Sequence, residues 1–381
     1  MNRRAVLIEV LRVAIVIVVA LVLSFVVILV ISKEPGEAFK QFITGPLANR
    51  NRQGNWLVQA TALTFTGLSV ALVFQARQFA LGAEGQLYLG GLAAGFVALY
   101  LPGSAWVVAI VAFLAAALAG FLYGLIPGYL KAYFGANEIV STLMLNAIAT
   151  AGYAFILVRY LRIAGGNYSA SFTVFGSTGR MQPLIEGTQV SAVIFLALVL
   201  AVGTHVLLYH TTFGYELRMS GFNLRFAEYG GINVRRTITL AMGLSGMVAG
   251  IAGAGLILGS FGRVNPQPSN GYGLDGIVVA LLARNYPLAT IPAALFYSYL
   301  RVGADVMGQN TDVPFEMANV IQGIIILLIS ADALTRWLRV RRSNQGGQAG
   351  RDALELPTPA APQTLTSTQT TPTATATEVS D

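Results

Sequence analysis

The chain has no cysteine in its 381 residues. Disulfides, thiolate nucleophiles and sulfur-ligated metals are therefore excluded. Histidine is almost as scarce. His205 and His210 are the two present, too few for a histidine-rich metal centre. Asp, Glu, Lys and Arg together make up 11% of the chain, where a water-soluble domain carries about a quarter. No Gly-x-x-x-x-Gly-Lys-Ser/Thr run occurs, so ATP is not hydrolysed here through a phosphate loop. His-Glu-x-x-His and Gly-x-Ser-x-Gly are missing too, and with them the usual zinc and serine hydrolase signatures. No residue stands out as catalytic and no metal or cofactor is expected on this chain.

What fills the chain is apolar. Hydrophobic residues make up 55%, and the mean hydropathy is +0.65. That much apolar surface cannot hide in one water-soluble core, so the remaining solvent is lipid. Many of the apolar runs approach the ~20 residues of a spanning helix. They lack the ten-residue alternation of an outer-membrane barrel. The expected fold is all-α, a polytopic membrane protein with about ten transmembrane helices. The runs are 13–31, 57–75, 80–101, 106–125, 139–158, 190–209, 237–258, 274–283, 288–306 and 315–334. The first follows Arg3 and Arg4 but is too long, and lacks the small-residue cleavage site, for a signal peptide. The run 274–283 is short, as a broken or re-entrant element would be.

Ten crossings put both termini on the cytoplasmic side. Arg3, Arg4, Arg77, Lys131, Arg218, Arg225, Arg235, Arg236, Arg284 and the cluster Arg336, Arg339, Arg341 and Arg342 then lie inside, and Lys33, Lys40, Arg50, Arg52, Arg159, Arg162, Arg180 and Arg263 outside, a bias in the expected direction though not a clean one. The net charge of +7 is this topology signal and not a nucleic-acid one. Residues 1–342 form the transmembrane domain. Residues 343–381, rich in Thr, Pro, Ala and Gln, have little to bury and read as a disordered cytoplasmic tail.

One pattern repeats. Gly82-Ala83-Glu84-Gly85 and Gly273-Leu274-Asp275-Gly276 share Gly-x-acid-Gly, and each opens an apolar run. They fall in the third element of each five-helix half, with the first facing the cytoplasm and the second the outside. Two inverted halves would produce this, and so would chance in a glycine-rich chain. Polar residues in apolar surroundings are the candidates for a substrate pathway: Glu84, Gln86, Asn137, Glu138, Asn146 and Asp275. Asn137 and Glu138 also fit a helix cap. Glu84 and Asp275, flanked by glycine, fit close backbone packing or an unwound turn equally well. The glycines from Gly243 to Gly255 read as tight helix packing.

Between runs 190–209 and 237–258 lies a polar loop. Its Tyr215, Met219, Phe222, Phe226 and Tyr229 fall on one helical face, with a break expected at Gly221. Such a stripe suits either a lipid interface or the groove of a partner protein.

Several ordered motifs resemble one family. They are Gly82-Ala83-Glu84-Gly85-Gln86, the segment from Asn137 to Asn146, Gly231-Ile232-Asn233-Val234 with the small-residue run after it, and the segment from Gly271 to Pro287. Together they are similar to permease subunits of bacterial ABC importers of the branched-chain amino acid and simple-sugar family, most of all nucleoside permeases. The resemblance covers roughly 57–335 and departs from the family at Ala80. It implies a multi-pass subunit of the bacterial cell membrane. Its implied partners are a cytoplasmic ATP-binding subunit holding ATP and magnesium, a second permease subunit that is a paralogue or a copy, and an extracytoplasmic solute-binding lipoprotein. It also implies that Tyr215, Glu216, Arg218, Met219, Gly221, Phe222, Phe226 and Tyr229 form the loop that couples to the ATPase. An ion-coupled secondary transporter and a simple-sugar permease are the other readings.

Overall fold

The computed structural model describes residues 32–161 and 179–314, with isolated positions 22, 25, 26, 28, 29, 175, 176, 320 and 323. All belong to one compact unit, Met1–Ala331. Apart from those isolated positions, the predicted runs 13–31 and 315–334 lie outside the described residues, and so do the Arg336–Arg342 cluster and the tail.

Eleven helices are formed among the described residues: α1 (Pro35–Thr44), α2 (Arg50–Gln75), α3 (Ala83–Tyr100), α4 (Ala105–Phe134), α5 (Glu138–Ile156), α6 (Val193–His210), α7 (Thr212–Phe222), α8 (Leu224–Tyr229), α9 (Val234–Ala254), α10 (Tyr272–Leu282) and α11 (Thr290–Asn310). Helices α5 and α9 each run on into a π-helical turn, Leu157–Leu161 and Gly255–Phe261. Local chemistry sets the ends. Asn49 starts α2 by accepting the Arg52 N–H at 2.9 Å, and Asn233 starts α9 by accepting that of Arg236. Gly135 ends α4 in the left-handed conformation, φ 67°, with its N–H on Lys131 O.

Among the described residues, five helices are long and apolar enough to cross a membrane: Arg50–Gln75, Ala105–Phe134, Glu138–Leu161, Val193–His210 and Val234–Phe261. The pair α10 and α11 bends by 115°, which agrees with the broken or re-entrant element expected at 274–283. The most apolar windows of α2 and α9 are 78% and 83% buried, against 22%, 17% and 28% for α4, α5 and α6. The first two are therefore central and the other three peripheral.

The peripheral helices are patterned by size rather than polarity. On α4, Val108, Ala112, Ala116, Gly120, Gly124 and Gly128 recur every four residues and are buried. Trp106, Ile110, Leu114, Leu118, Leu122 and Ile126 alternate with them and are exposed. In lipid a bulky apolar face costs nothing, so the small face packs inward and lets backbones touch. A Cβ on Gly120 would collide with the carbonyl of Gly246, and one on Gly250 with that of Ala116. From the other side Gly90 of α3 meets Gly250 backbone to backbone. Helix α9 is thus clasped between α3 and α4, as the Gly243–Gly255 run led one to expect.

Exposed aromatics mark the two ends of α4: Tyr100 and Trp106 at one, Tyr129, Tyr133 and Phe134 at the other. From Trp106 to Tyr133 the helix rises about 40 Å at ~1.5 Å per residue, close to the thickness of a bilayer with its headgroups. The guanidinium of Arg235 lies 5.7 Å from the Tyr133 ring centre, so the basic start of α9 is at the same end.

Gly250→Leu should cost about 1–3 kcal/mol or more through overpacking, read as a lower unfolding temperature in detergent. Gly152→Ala, at a glycine with open space around it, should leave that temperature unchanged. Equal behaviour of the two variants would refute the clasp.

Candidate functional site

Helix α2 ends at Gln75 and α3 begins only at Ala83, so the backbone between them is not helical. Inside an apolar bundle its N–H and C=O groups need partners. The α5 side chains supply them. Thr142 Oγ1 accepts the Leu81 N–H at 3.1 Å. Asn146 donates from Nδ2 to Leu81 O at 2.7 Å and accepts the Gly85 N–H at Oδ1, 2.9 Å. Asn146 therefore holds open backbone in place.

Glu84 lies in the first turn of α3 and reaches the start of α10. Its Oε2 accepts the Gly273 N–H at 2.7 Å. A Cβ on Gly273 would strike the backbone of Glu84, and one on Gly276 would strike Thr66. The two Gly-x-acid-Gly motifs thus touch. The expectation faced them toward opposite sides of the membrane, and their helix starts are in contact. Each begins a helix that starts within the bundle, and the two starts meet. The contact is deep: Gly276 is level with Thr66, nine residues and about 14 Å along α2 from Gln75. The Glu84 carboxylate thus lies at the N-terminal ends of two helices, its own α3 and α10.

Asp275, one turn into α10, accepts the Tyr297 O–H at 2.8 Å and forms an ion pair with Arg301, both from α11. Arg301 also donates to Asn270 O at 2.6 Å, and its guanidinium lies 4.8 Å from the Tyr272 ring centre. Close packing explains Gly273, Gly276 and Gly85, where a Cβ would meet Glu84, Thr66 and Asn146, while Gly82 meets only the side chains of Gln86 and Thr142.

Gln86 is buried, and its Oε1 has no hydrogen-bond partner among the described residues. The contact of α3 with α10 brings Glu84 close to the helix start that carries Asp275, Asn146 holds the backbone around Leu81 and Gly85, and the Gln86 amide lies toward Gly82 and Gly124. Asn137 and Glu138 are not part of this cluster. Asn137 caps α5, accepting the Ile139 N–H at 2.9 Å, and Glu138 pairs with Lys131 at 2.6 Å. Arg301 was not singled out in the sequence. The signal was available: a lone cation inside the apolar run 288–306 demands a buried acid, and Asp275 is one. No cluster of three or more His, Asp or Glu that could hold a metal occurs among the described residues.

The polar loop folds as α7 and α8. The break is at Asn223, not at Gly221 as expected. Asn223 is extended, φ −155°, and its side chain caps α8 by accepting the Phe226 N–H at 3.1 Å. Gly221 is instead buried inside α7, where a Cβ would collide with the carbonyl of Gln75. Leu217 is fully buried beside Leu72, Leu208 and Ala241, so α7 is fastened to the bundle. Tyr215, Phe222, Phe226 and Tyr229 are exposed, the last two to 60% and 92%. Met219 and Glu216 are half-buried. Arg218 folds back, donating to Gly214 O at 3.3 Å with its guanidinium 4.8 Å from the Tyr209 ring centre.

The family described as "Branched-chain amino acid transport system / permease component" matches residues 53–330. The chain belongs to that family. It is 33% identical over 298 residues to the guanosine ABC transporter permease protein NupP of Bacillus subtilis, covering 77% of this chain and 85% of that one. It is 30% identical over 345 residues to the glucose ABC transporter permease protein TsgB13 of Haloferax volcanii, covering 88% and 91%. To the nucleoside ABC transporter permease protein NupB of Lactococcus lactis it is 28% identical over 327 residues, covering 82% and 88%.

In this permease the Asp275–Arg301 pair sets a stringent test of the site. Arg301→Met should leave a buried acid unpaired and cost about 3–5 kcal/mol, seen as a fall in unfolding temperature. Adding Asp275→Asn should recover most of the loss. Additive losses in the double variant would show that the two side chains do not act as a pair.

Proposed function

We propose that the chain is the membrane-spanning subunit of an ATP-driven ABC importer that carries a nucleoside or a related small polar solute. The observation that carries the reading is the match to the permease family together with the exposed aromatic face of α7 and α8, on a chain whose sequence carries no phosphate-loop motif. That face is apolar, fastened from behind by Leu217 and Gly221, and unoccupied by the rest of the described chain. A rigid helix presenting aromatic anchors suits the groove of a protein partner. The partner is a cytoplasmic ATP-binding subunit holding ATP and magnesium. A second permease subunit, copy or paralogue, completes the pathway, and an extracytoplasmic solute-binding lipoprotein delivers the solute.

The chain makes ten crossings in two inverted five-helix halves, with both termini in the cytoplasm of a bacterial cell. The meeting of two similar broken helices, each third in its half, supports that arrangement. Gln86, with its buried and unpartnered Oε1, is the side chain we place nearest the solute. Glu84 and Asn146 shape that point by holding the broken helices. Two of the relatives named above act on guanosine or nucleosides, which favours such a solute. A sugar is the second reading, favoured by the glucose permease relative that matches the longest stretch of this chain among the three.

Phe222→Ser combined with Tyr229→Ser removes two exposed anchors and should leave the unfolding temperature of the permease unchanged. Loss of docking on the order of 2 kcal/mol or more is expected, measured as co-purification of the ATP-binding subunit. Uptake of labelled guanosine by cells carrying the double variant should fall to that of a gene deletion. Full uptake in the double variant would defeat the docking role, and uptake of glucose but not guanosine by the parent would select the second reading.

A further inference from the structure

The elbow between α10 and α11 is held more firmly than a connecting turn requires. Arg284 and Asn285 both adopt left-handed backbone, φ 53° and 57°. Non-glycine residues rarely do so, and the conformation persists where the surroundings over-determine it. All four such residues among those described flank the broken elements: Arg77 before α3, Asn270 before α10, and this pair after it.

Two short relays join this elbow to α7. In the first, Gly221 of α7 rests on the carbonyl of Gln75, and Gln75 Nε2 donates to Asn285 O at 2.9 Å. In the second, the Arg218 guanidinium lies 4.8 Å from the Tyr209 ring centre. Tyr209 is 5.5 Å from Tyr286, and Tyr286 meets His205 edge-on at 5.2 Å. Neither relay uses the exposed anchors of the docking face. Beyond the elbow, α10 is a single rod of 11 residues, about 16 Å long. Its far end carries Gly273 against Glu84 and Asp275 against Arg301. A small rotation at the elbow therefore becomes a displacement at the deep contact.

We propose that Gln75, Tyr209 and Tyr286 are positioning residues that transmit movement of α7 to α10, with Arg284-Asn285 as the hinge and the Glu84–Gly273 contact as the element that opens. The link rests on the reading in which an ATP-binding subunit grips α7. It makes α10 the two-position element that the nucleotide state biases.

The absence of cysteine makes the test direct. Ser269, fully buried just before α10, becomes the one thiol in Ser269→Cys. Its rate of maleimide labelling is measured in the assembled transporter in lipid, with and without ATP. In the Ser269→Cys parent, ATP should change the rate at least fivefold. Adding Tyr286→Leu should reduce that change to less than twofold while the ATP-binding subunit still co-purifies. Adding Tyr286→Phe, which keeps the ring, should preserve it. Gln75→Met, which removes only the donor, should reduce it as well and stands in if Tyr286→Leu does not assemble. An undiminished response in Tyr286→Leu or in Gln75→Met would overturn the link, as would equal losses in Tyr286→Leu and Tyr286→Phe. A Ser269→Cys parent that ignores ATP would instead sink the importer reading, and the link would fall with it.

Discussion

A peptide group inside an apolar bundle must have a hydrogen-bond partner, and two helices of this permease start at buried backbone. Everything at the deep site follows from that demand. The open backbone before α3 takes its partners from Thr142 and Asn146. The first turn of α10 takes its partner from Glu84. An unsatisfied group at such depth costs on the order of several kcal/mol, so these polar side chains are the condition for having broken helices at all. Broken helices in turn bring backbone and carboxylate to the middle of the bundle, where intact helices would present only side chains.

The second constraint is size. Water cannot sort inside from outside for α4, because both of its faces are apolar. Glycine and alanine at four-residue intervals do the sorting by allowing close backbone approach to α9. This explains why the central helices are rich in small residues while the peripheral ones display Leu, Ile and Phe. Helix α9 is clasped by α3 and α4 through backbone contact. Helix α10 is held instead by the Glu84 hydrogen bond, an ion pair and a left-handed elbow.

The exposed aromatic face of α7 and α8 and the deep site are built from opposite materials. The former is exposed Tyr and Phe on short helices whose backs are bolted down by Leu217, Gly214 and Gly221. The latter is a buried set of charges and amides. Gln75 and the Tyr209–Tyr286 pair lie between them. Few side chains are needed to connect the two because α2 ends beside both α7 and the elbow.

Composition and periodicity alone determined the helical class, the membrane as solvent, most of the apolar runs and the aromatic stripe of the polar loop. These are properties of neighbours along the chain. The glycine run from Gly243 to Gly255 was legible for the same reason, since small residues on a helix have one strong structural use. Glu84, Gln86, Asn137, Glu138, Asn146 and Asp275 were legible as polar residues in apolar surroundings. Tertiary structure decided what they do. Glu84 and Gly273 are 189 positions apart, and nothing local says that one carboxylate caps the other's helix. The same holds for Arg301, whose partner lies on another helix across a 115° bend. Gly221 read as a helix break by its type, yet it serves close packing because Gln75 happens to arrive there, and the break passed to Asn223, whose side chain can cap. Where the energy came from the residue and its immediate sequence, the sequence sufficed. Where it came from a partner brought in by folding, only the assembled bundle could decide.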